Sequence, residues 1–371
     1  MRAPRRRPGA AQRRGPDRLT PAAAGFAKIV LPAMLTKDFD LLLTPALERR
    51  KPLEAALAAE GTDCLRLFNG VAEGLPGLTV DRYGGLVLAQ TFRDSLTPEE
   101  VPALEESLRR ALPGPFAFAY NHRGKRATES FSKWHKPAPG ALEDFICREG
   151  GLKYVISARH RGIDPWLFLD LRAARRLVRG SAKGVSALNL FSYTCGVGVC
   201  AAAGGAAEVW NVDFAQSSLD VGRRNAELNG IPAERFRLVN EDCLTVVRQL
   251  AGLPVAGRYG QKRRYERFQP RSFDLVFLDP PAWAKGPLSA VDVQGDYQSM
   301  FKPAVLAAKP GGRVVATNHV AAVDYAAWTE TLRRCAAKAG RPIKNIEPVP
   351  VDADFPSFDG RPPLKVAVCE V

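Results

Sequence analysis

The sequence predicts an α/β fold: a doubly wound, mostly parallel sheet closed by an antiparallel last strand, preceded by a small N-terminal α/β domain. Three observations predict it. From residue 186 onward, apolar runs of strand length alternate with helical stretches, the sequence form of repeated β-α units. Those runs are apolar on consecutive residues, as strands covered on both faces are. Residues 64–92 instead carry short β-rich runs punctuated by "GLPG" and "YGG", the turn chemistry of hairpins.

Taken in order, residues 1–25 are rich in Arg, Pro, Gly and Ala without periodicity and read as a disordered basic tail. The tail is either an RNA-contacting arm or the product of a start codon placed too early. The segment "DFDLLLTPALERRKPLEAALAAEG" has helical spacing and stops at Gly61, with Pro52 expected to break it into two helices. Hairpins over 64–92, a helix "TPEEVPALEESLRRAL" and a strand "FAFAYNH" complete a module spanning 26–140. Residues 141–371 form the main domain, opening with "ALEDFICREGGLKYVIS", a hairpin turning at Gly150-Gly151, and "DPWLFLDLRAARRLVRG". Strands "SALNLFS", "EVWNVDF", "FRLVNED", "FDLVFLD" and "GRVVATN" are then each followed by a helix. "KNIEPVP" and "LKVAVCEV" close the chain as an antiparallel pair.

Composition narrows the function classes. Of 371 residues, 46% are hydrophobic and 25% charged, an ordinary globular balance. There is no secretory signature and no apolar run near the ~20 residues of a membrane span, so the expectation is a cytoplasmic protein with no membrane partner. Seven scattered cysteines suit a reducing compartment rather than a disulfide framework. With no Cys-x-x-Cys and four dispersed histidines, no metal site is expected. The net charge is +14, of which the first twenty residues supply +6. A basic body as well as a basic tail suits a polyanionic partner, although an Arg-rich codon bias would write the same excess. The sequence sets no oligomeric state.

In doubly wound sheets, ligands bind beyond the carboxyl ends of the strands, so the residues at those ends carry the argument. The first main-domain strand ends in "NLFSYTCGVGVC", where Gly196 and Gly198 open a helix and allow a ligand near its backbone. The second ends in Asp213, seventeen residues beyond Gly196, placed to bond both hydroxyls of a ribose or else to cap a helix. The third ends in Asp242, able to accept from an adenine amino group; the fourth ends in Asp279-Pro280-Pro281-Ala282-Trp283. Four such ends in order describe a nucleoside site. No Gly-x-Gly-x-x-Gly and no Walker Gly-Lys-Ser/Thr accompanies them, so S-adenosyl-L-methionine fits where NAD and ATP do not.

"LNLFSYTCGVGVCAAAGGA", "VDFAQSSLDVGRRNAELNG" and "LDPPAWAKG" resemble the class I, Rossmann-like methyltransferases of bacterial 23S ribosomal RNA. That group includes the cytosine-C5 enzyme and the guanine-N7 half of a fused enzyme. "FNGVAEGLPGLTVDRYGG" resembles that family's central domain and "PWLFLDLRAARRLV" its cofactor-covering segment, so the likeness spans roughly residues 60–371. The resemblance implies that Phe191, Thr194, Gly196, Asp213, Asp242 and Asp279 bind or surround the cofactor, while Phe168, Asp170 and Arg172 close over it. Three departures stand out: no room for an N-terminal PUA domain, Cys195 in place of the first glycine of a Gly-Gly pair, and Leu171 in place of a polar residue. A fourth bears on chemistry. Where the cytosine-C5 branch carries a cysteine on the strand after the Asp-Pro-Pro loop, this chain reads "VVATNHV".

Asp279 and the Pro280 carbonyl can accept hydrogen bonds from an amino or ring N–H, the prolines stiffen the loop, and Trp283 can stack on a base taken out of its helix. These three are the expected catalytic residues. Carbon-5 methylation of cytosine needs a thiolate to add to the ring, so the residues favour a nitrogen acceptor and leave the cytosine-C5 route open. The same motifs would also serve methylation of a protein side chain or small planar molecule, or survive in a catalytically inactive RNA-binding protein. The insert "GRYGQKRRYERFQPRS", 257–272, interleaves cations with aromatic rings and suits RNA contact.

Overall fold

The computed structural model describes residues 37–124, 140, 143–158, 165–255, 265–285 and 290–371. The basic tail and the most cation-rich part of the 257–272 insert lie outside the described residues. Asp38–Val371 pack as one compact unit.

The chain enters this unit through helix α1 (Phe39–Ala59), capped by the Asp38 side chain, which accepts from the Leu41 N–H at 3.2 Å. α1 is a single helix, contrary to the expected break at Pro52. Burial of Phe39, Leu43, Ala46, Arg50 and Leu57 along one face holds its axis. Arg50 also donates to the Ala46 carbonyl at 2.8 Å and to Glu73 at 2.7 and 3.1 Å, anchoring the turn beside the proline. This tertiary anchoring outweighs the backbone donor missing at Pro52; a second proline, Pro45, also lies within the helix.

Strands β1 (Cys64–Asn69), β2 (Leu78–Tyr83), β3 (Leu86–Thr91) and β4 (Ala117–His122) form a four-stranded sheet in that order, with helix α2 (Glu100–Ala111) crossing between β3 and β4. Alternation divides its side chains. Leu65, Leu67, Val80, Val87 and Phe118 face α1 and α2, whereas Cys64, Tyr83, Leu86 and Leu88 join the core of the larger sheet. β3 is buried along its whole length because both faces are covered. Hairpin β5 (Asp144–Glu149) and β6 (Leu152–Ser157) turns at Gly150-Gly151, both left-handed with φ 57° and 76°, as their sequence demands.

The main layer comprises α3 (Arg172–Ser181), β7 (Ser186–Leu190), α4 (Gly196–Ala203), β8 (Glu208–Asp213), α5 (Gln216–Leu228), β9 (Phe236–Asn240), α6 (Cys243–Leu250) and β10 (Phe273–Leu278). A ribbon of β11 (Trp283–Lys285) and β12 (Ala290–Asp292) follows. Then come α7 (Gln298–Leu306), β13 (Ala308–Asn318), α8 (Tyr325–Lys338), β14 (Asn345–Pro348) and β15 (Lys365–Glu370). The seven-stranded sheet has the order β14-β15-β13-β10-β7-β8-β9, in which β15 alone runs against the direction shared by the other strands. Ala187, Val209, Leu275, Phe277 and Val315 pack on the face bearing α3, α4 and α5. Leu188, Trp210, Val212, Val276 and Val314 pack on the face bearing α6, α7 and α8. The order reverses between β7 and β10, and the crevice this opens is where the expected ligand site falls.

Candidate active site

A cavity of about 590 Å³ lies at this switch point, within the ~300–1,000 Å³ of small-molecule sites. Its wall comes from the segment before α3 (Trp166 to Leu171), the loop after β7 (Phe191 to Gly196), the end of β8 (Asp213 to Ala215), the loop after β10 (Asp279, Pro281, Ala282) and His319 after β13. Arg123, just beyond β4, also reaches it. Chain segments far apart in sequence therefore share one concave surface.

The loop after β7 is the most constrained part. Phe191, Tyr193 and Cys195 have φ of 58°, 48° and 62°, and Trp166 opposite has 73°. Among the described residues these are all the non-glycine residues with positive φ, a conformation costing roughly 1–2 kcal/mol each. Backbone bonds hold the loop: Ser192 N–H donates to the Val212 carbonyl at 2.9 Å and Cys195 N–H to the Ser192 carbonyl at 2.7 Å. The Thr194 hydroxyl donates to the Trp166 carbonyl, and the Asn225 amide donates to the Thr194 carbonyl at 3.0 Å. Left-handed backbone at Cys195 is a conformation that favours glycine. The thiol occupies space made by Gly222, whose Cβ would lie 2.4 Å from Cys195 Sγ.

Asp213 ends β8 facing the cavity. Its Oδ2 accepts from Tyr193 N–H and its Oδ1 from Ala215 N–H, each at 2.9 Å. Burial pushes its pKa up, and the N–H groups of Ala215, Tyr193 and Phe214 oppose that rise. A partly desolvated carboxylate at the end of the second parallel strand is the acceptor a ribose requires. Phe168, 39% exposed, lies over the cavity with its ring 5.5 Å from that of Tyr193. Asp170 also lines it, its pKa raised by burial and by Asp279, with His319, Arg66 and Arg175 pulling the other way.

Asp279 stands at the end of β10. Its Oδ1 receives the Thr317 hydroxyl and, at 2.7 Å, His319 Nε2. Burial alone would discharge His319, yet Asp279 and Asp170 together push its pKa up to about 9 against the opposing charge of Lys365. Pro281 and Ala282 continue the wall while the Pro280 ring is buried. Trp283 is 69% exposed and belongs to the β11–β12 ribbon rather than to the cavity wall.

Several expectations need correction. Arg172 does not close over the cavity. It is 1% exposed, donating to Asp352 at 2.9 Å, to Asp354 at 2.9 and 3.2 Å and to the Cys64 carbonyl at 3.2 Å. Arg175, one turn further along α3, lines the wall instead while donating to Glu149 at 2.6 and 2.7 Å. Asp242 caps α6, accepting from Thr245 N–H at 3.0 Å, and is not part of the wall. Gly196 does line the cavity, but Gly198 answers to packing: a Cβ there would sit 1.9 Å from Asn211 Oδ1 on β8. Sequence reasoning missed Asn189, Tyr193, Arg123 and His319 as wall residues. Arg123 and His319 carried a signal, each as a titratable group just past a strand end.

All seven cysteines are buried as free thiols and none lines the cavity. Burial pushes Cys200 up to about 11 and holds Cys195 and Cys243 well above the usual thiol range. Among the described residues no cluster of His, Cys, Asp and Glu could hold a metal ion, and no helix is long and apolar enough to cross a membrane.

The family model for S-adenosylmethionine-dependent methyltransferases matches residues 65–369. The ribosomal RNA large subunit methyltransferase I of Aeromonas salmonicida is 27% identical over 328 residues, covering 86% of this chain and 77% of that one. The ribosomal RNA large subunit methyltransferase K/L of Shewanella pealeana is 29% identical over 318 residues, covering 82% of this chain and 40% of that one. A Streptococcus mutans structure described as a SAM-dependent methyltransferase shares the fold, with a TM-score of 0.72 at 22% identity, covering 92% of this chain and 83% of that one.

Proposed function

This chain belongs to the S-adenosylmethionine-dependent methyltransferase family, and from that premise we propose that it methylates a nitrogen on a base of large-subunit (23S) ribosomal RNA. The cavity suits the cofactor on the chemistry of its walls. Asp213 would take the ribose hydroxyls, Gly196 would leave room beside its backbone, and Phe168, Phe191 and Thr194 would flank the ligand. When bound, the cofactor supplies a methyl group on a positively charged sulfur.

The protein's own part is positioning. Asp279 and the Pro280 carbonyl hold the N–H edge of a planar base, and the exposed Trp283 ring stacks on a base withdrawn from its helix. Asp279 would hold the accepting nitrogen in line with the methyl group that the cofactor supplies, and Asp279 or water would take the nitrogen's proton. The four-stranded sheet, which contributes the segment ending at Arg123, lies on the RNA side of this arrangement; residues 26–140 would be the substrate-facing module and 141–371 the cofactor domain. RNA as substrate is supported by the relatives' activities and by the basic balance of the chain.

The observation that carries the nitrogen assignment is the absence of any cysteine from the cavity wall, with every thiol buried. An addition of thiolate to a pyrimidine ring needs an ionised thiol beside the base, and none of the seven thiols stands there. Mass-spectrometric mapping of ribosomal RNA from a deletion strain tests the substrate: one large-subunit N-methyl mark is expected to vanish. An unchanged map would refute RNA as the substrate. Separately, RNA containing 5-fluorocytosine should form no covalent adduct; an adduct mapped to any of the seven cysteines would restore cytosine-C5 chemistry.

A further inference from the structure

We propose that His319 is a positioning residue for the transfer: with Thr317 it locks the Asp279 carboxylate so that Oδ2 alone is presented to the N–H of the accepting base. The inference rests on the reading that Asp279 receives that base.

The arrangement follows from strand register. β10 and β13 are parallel neighbours with Leu278 paired to Ala316, so the residues that follow this pair on each strand meet above the sheet. Asp279 there finds the Thr317 hydroxyl and His319 Nε2, and both donate to the same oxygen, Oδ1. Among the described residues no group donates to Oδ2, and the Asp279 side chain is 18% exposed where it lines the cavity. A carboxylate's terminal torsion is broad and two-fold, so one hydroxyl donor alone would let the two oxygens exchange. A second, ring-borne donor from a different direction removes that freedom.

Charge strengthens the lock. His319 faces Asp279 from β10, Asp170 from the segment before α3 and Lys365 from β15, while Arg66 of β1 and Arg175 of α3 act on Asp170. The acids prevail, and the imidazole stays protonated to about pH 9. Its bond to Asp279 is therefore charge-assisted at neutral pH, roughly twice as strong as a neutral one. Without that proton Asp279 loses its cationic partner, while Asp170 keeps only the influence of Arg66 and Arg175.

The test uses the full chain with His319→Gln and Asp279→Asn. Histidine NMR titration, which needs no RNA, should place the wild-type His319 transition near pH 9 and return it towards ~6.5 in Asp279→Asn. Single-turnover methylation of large-subunit RNA from a deletion strain is then followed from about pH 6.5 to 10. At about pH 7.5, His319→Gln should slow transfer about tenfold, with the dissociation constant for S-adenosylmethionine within about twofold of wild type. The wild-type advantage should shrink towards unity above about pH 9.5. An advantage constant with pH, or an imidazole that titrates near ~6.5 in an active enzyme, would overturn the proposal. A normal titration near pH 9 in a wild type that methylates no RNA would instead overturn the substrate reading beneath it, and the acceptor role with it.

Discussion

Replacing Asp213 with Ala perturbs the cavity in two separable ways. The ligand loses its carboxylate acceptor, a charge-assisted bond worth about 1.5–3 kcal/mol, or roughly 10- to 150-fold in affinity. The protein also loses the partner of two N–H groups, those of Tyr193 and Ala215, each bonded at 2.9 Å. Tyr193 lies in a loop with three left-handed residues, so Asp213 holds in place a backbone that would otherwise relax. Asp213→Asn removes the charge but keeps part of the second role, because its one side-chain oxygen can still accept from one of the two N–H groups. Calorimetry with S-adenosylmethionine should show a large loss for Asp213→Ala and an intermediate one for Asp213→Asn, with thermal unfolding lowered more in the Ala variant. Binding should also weaken on acidification, since burial raises the Asp213 pKa and the anionic acceptor disappears as pH falls through it. Equal affinity of wild type and both variants would refute the assignment of Asp213 to the ligand.

Two further outcomes test neighbouring claims. Arg172→Ala should lower unfolding stability by about 3–5 kcal/mol in denaturant titrations, because Asp354, 0% exposed, is left buried and short of its main partner. The variant's folded fraction should bind cofactor normally, whereas selective loss of affinity would return Arg172 to the cavity. Trp283→Ala should leave the melting temperature unchanged, given its 69% exposure, and lose about 1–3 kcal/mol of stacking as a fall in RNA methylation; unchanged turnover would remove the ring from the acceptor site.

What the sequence by itself determined were features local along the chain. Apolar runs and their spacing set the strands and helices, and glycine pairs set the hairpin at 150–151. The ends of β7, β8 and β10 placed the neighbourhood of Phe191, Asp213 and Asp279 in the cavity, because in a parallel sheet every such end emerges on one side. Tertiary structure alone decided the direction and partners of individual side chains. Arg172 and Arg175 share a helix face and look alike in sequence. Asp352 and Asp354, some 180 residues away, set the first apart by taking it into the core, while Glu149, 3.8 Å from the first, makes its two-pronged bond with the second at the wall. The single helix through Pro52 depends on contacts of Arg50 with Glu73 and with the Asp354 carbonyl. His319 acquires its charge only because β13 lies beside β10 and brings Asp279 to it, with Asp170 close by. Hydrogen bonds and Coulomb interactions act over a few ångströms of space, whatever the distance along the chain, and it is the folded sheet that converts the one into the other.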